Sequence, residues 1–222
     1  MILTEMEGLQ REIDLRSTLE ELNDINGASF YTYKYAKEIM GRFGDKGIVN
    51  GVLMGTAYGG GIERIANVWG QNGKVYGFDT FEDTHPTHLA EGNSEESACM
   101  DYWYNTKGTD KLSLAYQTQM FKDMGLDNVT LIKGEVNKDS CKDIDNIHYA
   151  FLDMDILASM KAGYEAVKDK IVPGGLLLMH DVTGNLPRVY DWFWEDVVLK
   201  DNALWRVEAF FPKELLAVLK RK

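Results

Sequence analysis

Five carboxylates and one imidazole stand out because each closes a segment that alternates or runs apolar. Asp79 ends KVYGFD, and Glu135 follows NVTLIKG. Asp153 and Asp155 end IHYAFLDMD, and His180 and Asp181 end PGGLLLMHD. A fifth apolar segment, IVNGVLM, runs into GTAYGGG, with glycines at Gly55, Gly59, Gly60 and Gly61 and Thr56 between them. Glycines there let the backbone approach a ligand closely, and N–H groups at a helix start favour an anion. A carboxylate at the next strand tip, twenty residues after Gly59, accepts the two hydroxyls of a ribose. The spacing G-x-x-x-G-G-G is not the G-x-G-x-x-G of a dinucleotide turn. The expected ligand carries a ribose and, near the glycines, a small anionic group. Both NAD and S-adenosylmethionine meet that description.

The elements that must position these residues follow from periodicity. Helical apolar spacing runs over 4–22 (Met6, Leu9, Ile13, Leu19, Leu22) and over 29–43. Strands are expected at 48–54, 74–79, 128–134, 147–155 and 173–181, with helices at 60–69, 110–124, 158–170 and around Trp192–Val197. Strands alternating with helices make a mostly parallel sheet covered on both faces. LWRVEAFF (204–211) and ELLAVLKRK (214–222) are separated only by Pro212 and Lys213, too little for a parallel crossover, so they form an antiparallel hairpin. The expected architecture is an α/β, doubly wound, Rossmann-like sheet of seven strands, mostly parallel with an antiparallel terminal hairpin. It is read as one domain over 1–222, with a helical cover at 1–45 and the core at 46–222. In an open sheet of this kind, ligands bind beyond the carboxyl ends of the strands. All the singled-out residues belong to that edge. In an extended 153–155, Asp153 and Asp155 share one face and Met154 takes the other. Asp155 reads equally as a base or as the N-cap of the following helix. His180 reads as a metal ligand, a base or a plain hydrogen-bonding residue.

Composition narrows the partners. Against 35 Asp and Glu the 222-residue chain has 24 Lys and Arg, for a net charge of −11. That argues against nucleic acid and against an anionic membrane surface. No apolar run approaches the ~20 residues of a membrane span. The two cysteines, Cys99 and Cys141, have no metal or redox spacing, and the acidic start lacks a signal-peptide layout. A cytoplasmic protein is expected, with homodimerisation left open. His85 and His88 in THPTH read as solvated. Tyr102, Trp103 and Tyr104 read as a pocket wall or a loop anchor. The long polar stretch 80–109 is expected to form part of a lid over the acceptor site.

The motifs GTAYGGG (55–61), YGFDTFED (76–83), GLDNVTLIKGE (125–135), FLDMDILASMKAGYEAV (151–167) and VPGGLLLMHDV (172–182) together resemble class I S-adenosylmethionine-dependent methyltransferases. Within that class the chain resembles the macrocin O-methyltransferase family over residues 28 to 220. The resemblance implies S-adenosylmethionine as cofactor, held by Gly55, Thr56, Gly59, Gly60, Asp79 and Glu135. It implies a divalent metal, usually magnesium, at Asp153, His180 and Asp181, with Asp155 and Asp153 catalytic. It also implies a small-molecule acceptor, a sugar or glycosylated natural product, methylated on a hydroxyl. Two positions depart from the pattern. Leu53 stands where the class often has an acidic residue, and His180 replaces one of two adjacent carboxylates. Two other readings stand beside this one: a nicotinamide-dependent oxidoreductase, and a cofactor-binding protein of the same fold without catalysis.

Overall fold

The computed structural model of the chain describes residues 27–81, 109–184 and 186–222. The expected helix over 4–22, His85, His88, Cys99, the aromatic cluster at 102–104 and most of the 80–109 stretch lie outside these residues. The described elements are α1 (Gly27–Phe43), β1 (Val49–Met54), α2 (Gly60–Trp69), β2 (Gly73–Asp79), α3 (Leu114–Asp123), β3 (Val129–Lys133), β4 (Ile147–Leu152), α4 (Leu157–Val167), β5 (Ile171–His180), α5 (Pro187–Trp192), β6 (Trp205–Phe211) and β7 (Leu216–Arg221). A π-helical segment, Phe193–Lys200, continues α5.

The strands form one seven-stranded sheet in the order β3-β2-β1-β4-β5-β7-β6. β1 to β5 are parallel, while β7 lies antiparallel between β5 and β6. The expected mixed sheet is therefore present, and the strand order reverses between β1 and β4. Both faces are buried, so the central strands are apolar at nearly every position while still obeying a period of two. Leu53, Tyr149, Phe151, Leu176, Leu178 and Val218 face one layer with α1, α2 and Phe121 of α3. Val52, Met54, Ala150, Leu152, Leu177, Met179 and Leu219 face the other, with α4, α5 and Trp205. Among the described residues no helix is long and apolar enough to cross a membrane.

Differences from expectation occur at element ends. β4 stops at Leu152, three residues early, because the backbone turns at Asp155 (φ 60). Asp153 and Asp155 are thus not two rungs of one extended face. The hairpin turn also takes two residues more than expected, with a 3-10 turn at Pro212–Glu214 and Leu215 at φ 54.

Two local fits hold the α1/α2 layer on the sheet. The Trp69 indole N–H donates to Ala36 O at 2.9 Å, tying α2 to α1. Its ring fills the space over Gly51, where a Cβ would come within 2.6 Å of two ring atoms. At the register shift in β4, the Asn50 N–H donates to His148 Nδ1 at 3.1 Å in place of a ladder bond. Burial lowers the pKa of His148 below its ordinary 6.5, so the folded protein holds this ring neutral. A group favoured in its neutral basic form stabilises the fold above its unfolded pKa, and the contribution is lost as pH falls below that value.

Two outcomes follow. Gly51→Ala forces Trp69 to move and is expected to cost about 1–3 kcal/mol in urea denaturation; wild-type stability would contradict the packing. His148→Gln retains an acceptor for Asn50 but cannot titrate. Below pH 6.5 the melting temperature of the wild type should drop faster than that of this variant, and parallel curves would exclude the linkage.

Candidate active site

The site forms where β1, β2, β4 and β5 end. β1 gives way to a turn in which Gly55 adopts φ 83 and Gly59, the residue preceding α2, adopts φ 80. Gly55 is required twice over, because a Cβ there would lie 1.8 Å from the Asp153 carbonyl oxygen. The exit of β4 therefore presses directly on the glycine turn, and the Asp153 N–H donates to Met54 O at 2.9 Å. Gly59 is equally constrained, since a Cβ would meet Phe121 at 2.9 Å and Gln117 at 3.1 Å. Gly60 differs: its nearest neighbour would be 4.0 Å away, so space alone does not demand glycine there. Leu53 is buried in the α1/α2 layer and brings no polar group to the turn.

Asp79 is engaged by the turn. Its Oδ2 accepts from Thr56 N (2.8 Å), Ala57 N (3.2 Å) and Thr56 Oγ1 (3.2 Å). Its Oδ1 accepts from Phe81 N (3.1 Å) and, more weakly, Thr80 Oγ1 (3.4 Å). The carboxylate thus ties the end of β2 to the end of β1. The Gly134 N–H donates to Asp79 O at 2.9 Å, which brings exposed Glu135 to the same edge.

At the neighbouring strand ends three side chains converge. His180 Nδ1 lies 2.9 Å from Asp153 Oδ1 and 3.2 Å from Asp181 Oδ2. One ligand atom from each of the three falls within 4.8 Å of the others. The nitrogen is buried between the two carboxylates. Burial by itself pulls the pKa of this ring down. The adjoining carboxylates, Asp153 first and then Asp181, outweigh it and push the pKa up to about 11. Two carboxylates facing one enclosed nitrogen call for a positive charge between them, supplied by a ring proton or by a metal cation. The donor set, two carboxylate oxygens and an imidazole, is one that divalent transition metals accept. Magnesium, which prefers oxygen alone, suits it less. Asp155 is outside this convergence. It is not the N-cap either, a position taken by Ile156 without a side-chain bond.

Backbone strain gathers at this edge. Ala57, Phe81, Asp155 and Asp181 follow β1, β2, β4 and β5, Leu215 precedes β7, and all five have φ between 44 and 60. Non-glycine residues avoid that region, and clusters of them mark functional sites. The sequence reading identified the acids but not Ala57, or Gln117 of α3, whose Nε2 donates to Ala57 O at 2.6 Å. An alanine in a turn and a glutamine on a helix carry no signal that would have singled them out.

No known family and no curated protein matches the chain by sequence. Solved structures do match it. The O-methyltransferase NovP superposes with a TM-score of 0.68 at 14% identity, over 86% of this chain and 79% of NovP. The chain has the class I methyltransferase fold. An rRNA methylase from Streptococcus thermophilus shares that fold at 15% identity and TM-score 0.55, over 89% of this chain and 98% of that one. So does a Streptococcus mutans protein in complex with SAH (S-adenosylhomocysteine), at 12% identity and TM-score 0.57, over 90% of this chain and all (100%) of that one. In this methyltransferase fold the glycine turn and the three-residue cluster occupy one edge, separated by the Gly55–Asp153 backbone contact.

The cluster can be tested without any reaction. Calorimetric titration with manganese or zinc is expected to show one site, weakened at least about tenfold by Asp181→Ala or His180→Ala. Equal affinity in wild type and both folded variants would dismiss the site.

Proposed function

We propose that the protein transfers the methyl group of S-adenosylmethionine to a hydroxyl of a small molecule, a sugar or glycosylated natural product, with help from a divalent ion. The observation that carries this reading is the convergence of Asp153, His180 and Asp181 beside a glycine turn that the Asp153 backbone touches. The fold shared with NovP and with the SAH-bound protein supports it. The acidic charge of −11 favours a small acceptor over nucleic acid. A cytoplasmic location belongs to this reading.

In this reading the turn from Gly55 through Thr56 to Gly59 and Gly60 receives the methionine end of the cofactor, whose carboxylate suits the start of α2. Asp79 takes the ribose hydroxyls on Oδ1, where the weak Thr80 contact gives way, while Oδ2 keeps the turn in shape. Glu135 flanks the cofactor from the end of β3. Asp153, His180 and Asp181 hold the divalent ion, which when bound lowers the pKa of an acceptor hydroxyl. Asp155 takes the proton as the hydroxyl attacks. Positioning contributes much of the rate, because a sulfonium is already a strong electrophile.

The decisive experiment measures both binding and turnover on a panel of glycosylated acceptors. S-adenosylmethionine should bind the wild type and bind Asp79→Ala more weakly by about 1.5–3 kcal/mol. Chelation should abolish turnover and leave cofactor affinity nearly intact. Asp155→Asn should lower turnover with little change in metal affinity. Full activity of demonstrably metal-free protein would remove the metal from the reaction.

A further inference from the structure

Gln117 sits in α3 with none of its surface exposed. Its Nε2 donates to Ala57 O at 2.6 Å, with longer contacts to Leu112 O (3.3 Å) and Lys111 O (3.4 Å). Its Oε1 is buried without a partner among the described residues. Exchanging the amide nitrogen and oxygen would set an oxygen against three carbonyl oxygens, so the chemistry fixes this orientation. The residue it holds is strained: Ala57 has φ 44. Asp79 of β2 accepts the Ala57 N–H, and Gln117 of α3 donates to the Ala57 carbonyl. A left-handed peptide is thus gripped at both ends by side chains from two different elements. On its other side Gln117 lies against Gly59, where a Cβ would come within 3.1 Å of Oε1.

We propose that Gln117 is a positioning residue that sets the shape of the glycine turn and so its affinity for S-adenosylmethionine. It does not touch the reacting atoms. It fixes Ala57 in the one conformation that aims the Thr56 and Ala57 amides at Asp79 and leaves Gly59 to open α2. An amide side chain whose oxygen stays unsatisfied is a poor choice for packing alone, since an apolar residue of the same length would fill the space without an orphaned acceptor. Its donor is what the site uses. The cofactor half of this inference rests on the proposed function; the grip on the turn does not.

Gln117→Met keeps the length and removes the donor. Without cofactor, backbone amides of residues 55–59 should exchange with deuterium about tenfold faster than in wild type, with β4 and the end of α2 unchanged. Affinity for S-adenosylmethionine should fall about tenfold, the size of one hydrogen bond, while manganese affinity stays at the wild-type value. Gln117→Glu adds a signature that simple packing would not produce. Its carboxyl group donates to Ala57 O only when protonated, so cofactor affinity should recover toward wild type as pH falls. This comparison within one protein also serves if the Met variant does not fold. Wild-type exchange at 55–59 in folded Gln117→Met, or no recovery at low pH in Gln117→Glu, would overturn the proposal. Faster exchange at 55–59, in a protein whose wild type binds no S-adenosylmethionine, would keep the grip and overturn the cofactor reading instead.

Discussion

A parallel sheet buried on both faces leaves charge nowhere to go but the strand ends. Transferring an unpaired carboxylate into either apolar layer is prohibitive. β5 is apolar along most of its length and polar at its tip, in the run from Leu176 to His180 and Asp181, and Asp79 and Asp153 likewise stand at the ends of β2 and β4. Parallel direction then puts all the tips at one edge. The reversal of strand order between β1 and β4 sends the connections to opposite faces and opens a crevice between them. Acids placed far apart in the sequence meet there for no reason other than this solvation constraint.

Meeting is not enough, because the tips must also be held against mutual repulsion. Two devices do this. Asp79 accepts hydrogen bonds from backbone amides of the turn and serves as a structural bolt between β1 and β2. Asp153 and Asp181 instead share His180, a pair of negative charges balanced by one acceptor of positive charge. The first arrangement is complete within the protein. The second calls for a positive charge between the two carboxylates, a ring proton or the cation proposed above. Left-handed backbone at Ala57, Phe81, Asp155 and Asp181 is the conformational cost of turning each strand sharply enough to aim these groups inward.

Most of the sheet was legible because period-two patterning and strand-ending acids are written in the residues themselves. The hairpin was legible from the shortness of its connection. What the sequence concealed are features decided by backbone conformation. IHYAFLDMD is apolar and extended in pattern up to Asp155, and nothing in it announces that the strand leaves the ladder after Leu152. The π-helical run at Phe193–Lys200 has the apolar content of an ordinary helix. Gly59 and Gly60 look alike in sequence, yet only Gly59 is forced by dihedral and by contact. Asp79 was identifiable as a strand-ending carboxylate near the glycine turn, whereas its engagement by the turn depends on a peptide geometry that only the fold reveals.

The placement of β7 bears on how the protein is made. β7 follows every strand it touches, yet it belongs in the interior of the sheet between β5 and β6. On a ribosome, β1 to β5 emerge first and can pair among themselves. Leu176 to His180 then offers an open row of peptide groups lined on both faces by apolar side chains until β7 arrives. An open, fully apolar edge of that kind is a template for pairing with another chain. β7 therefore acts as the seal on the nascent sheet, and the interval before it emerges is when the unfinished sheet most needs protection from its neighbours.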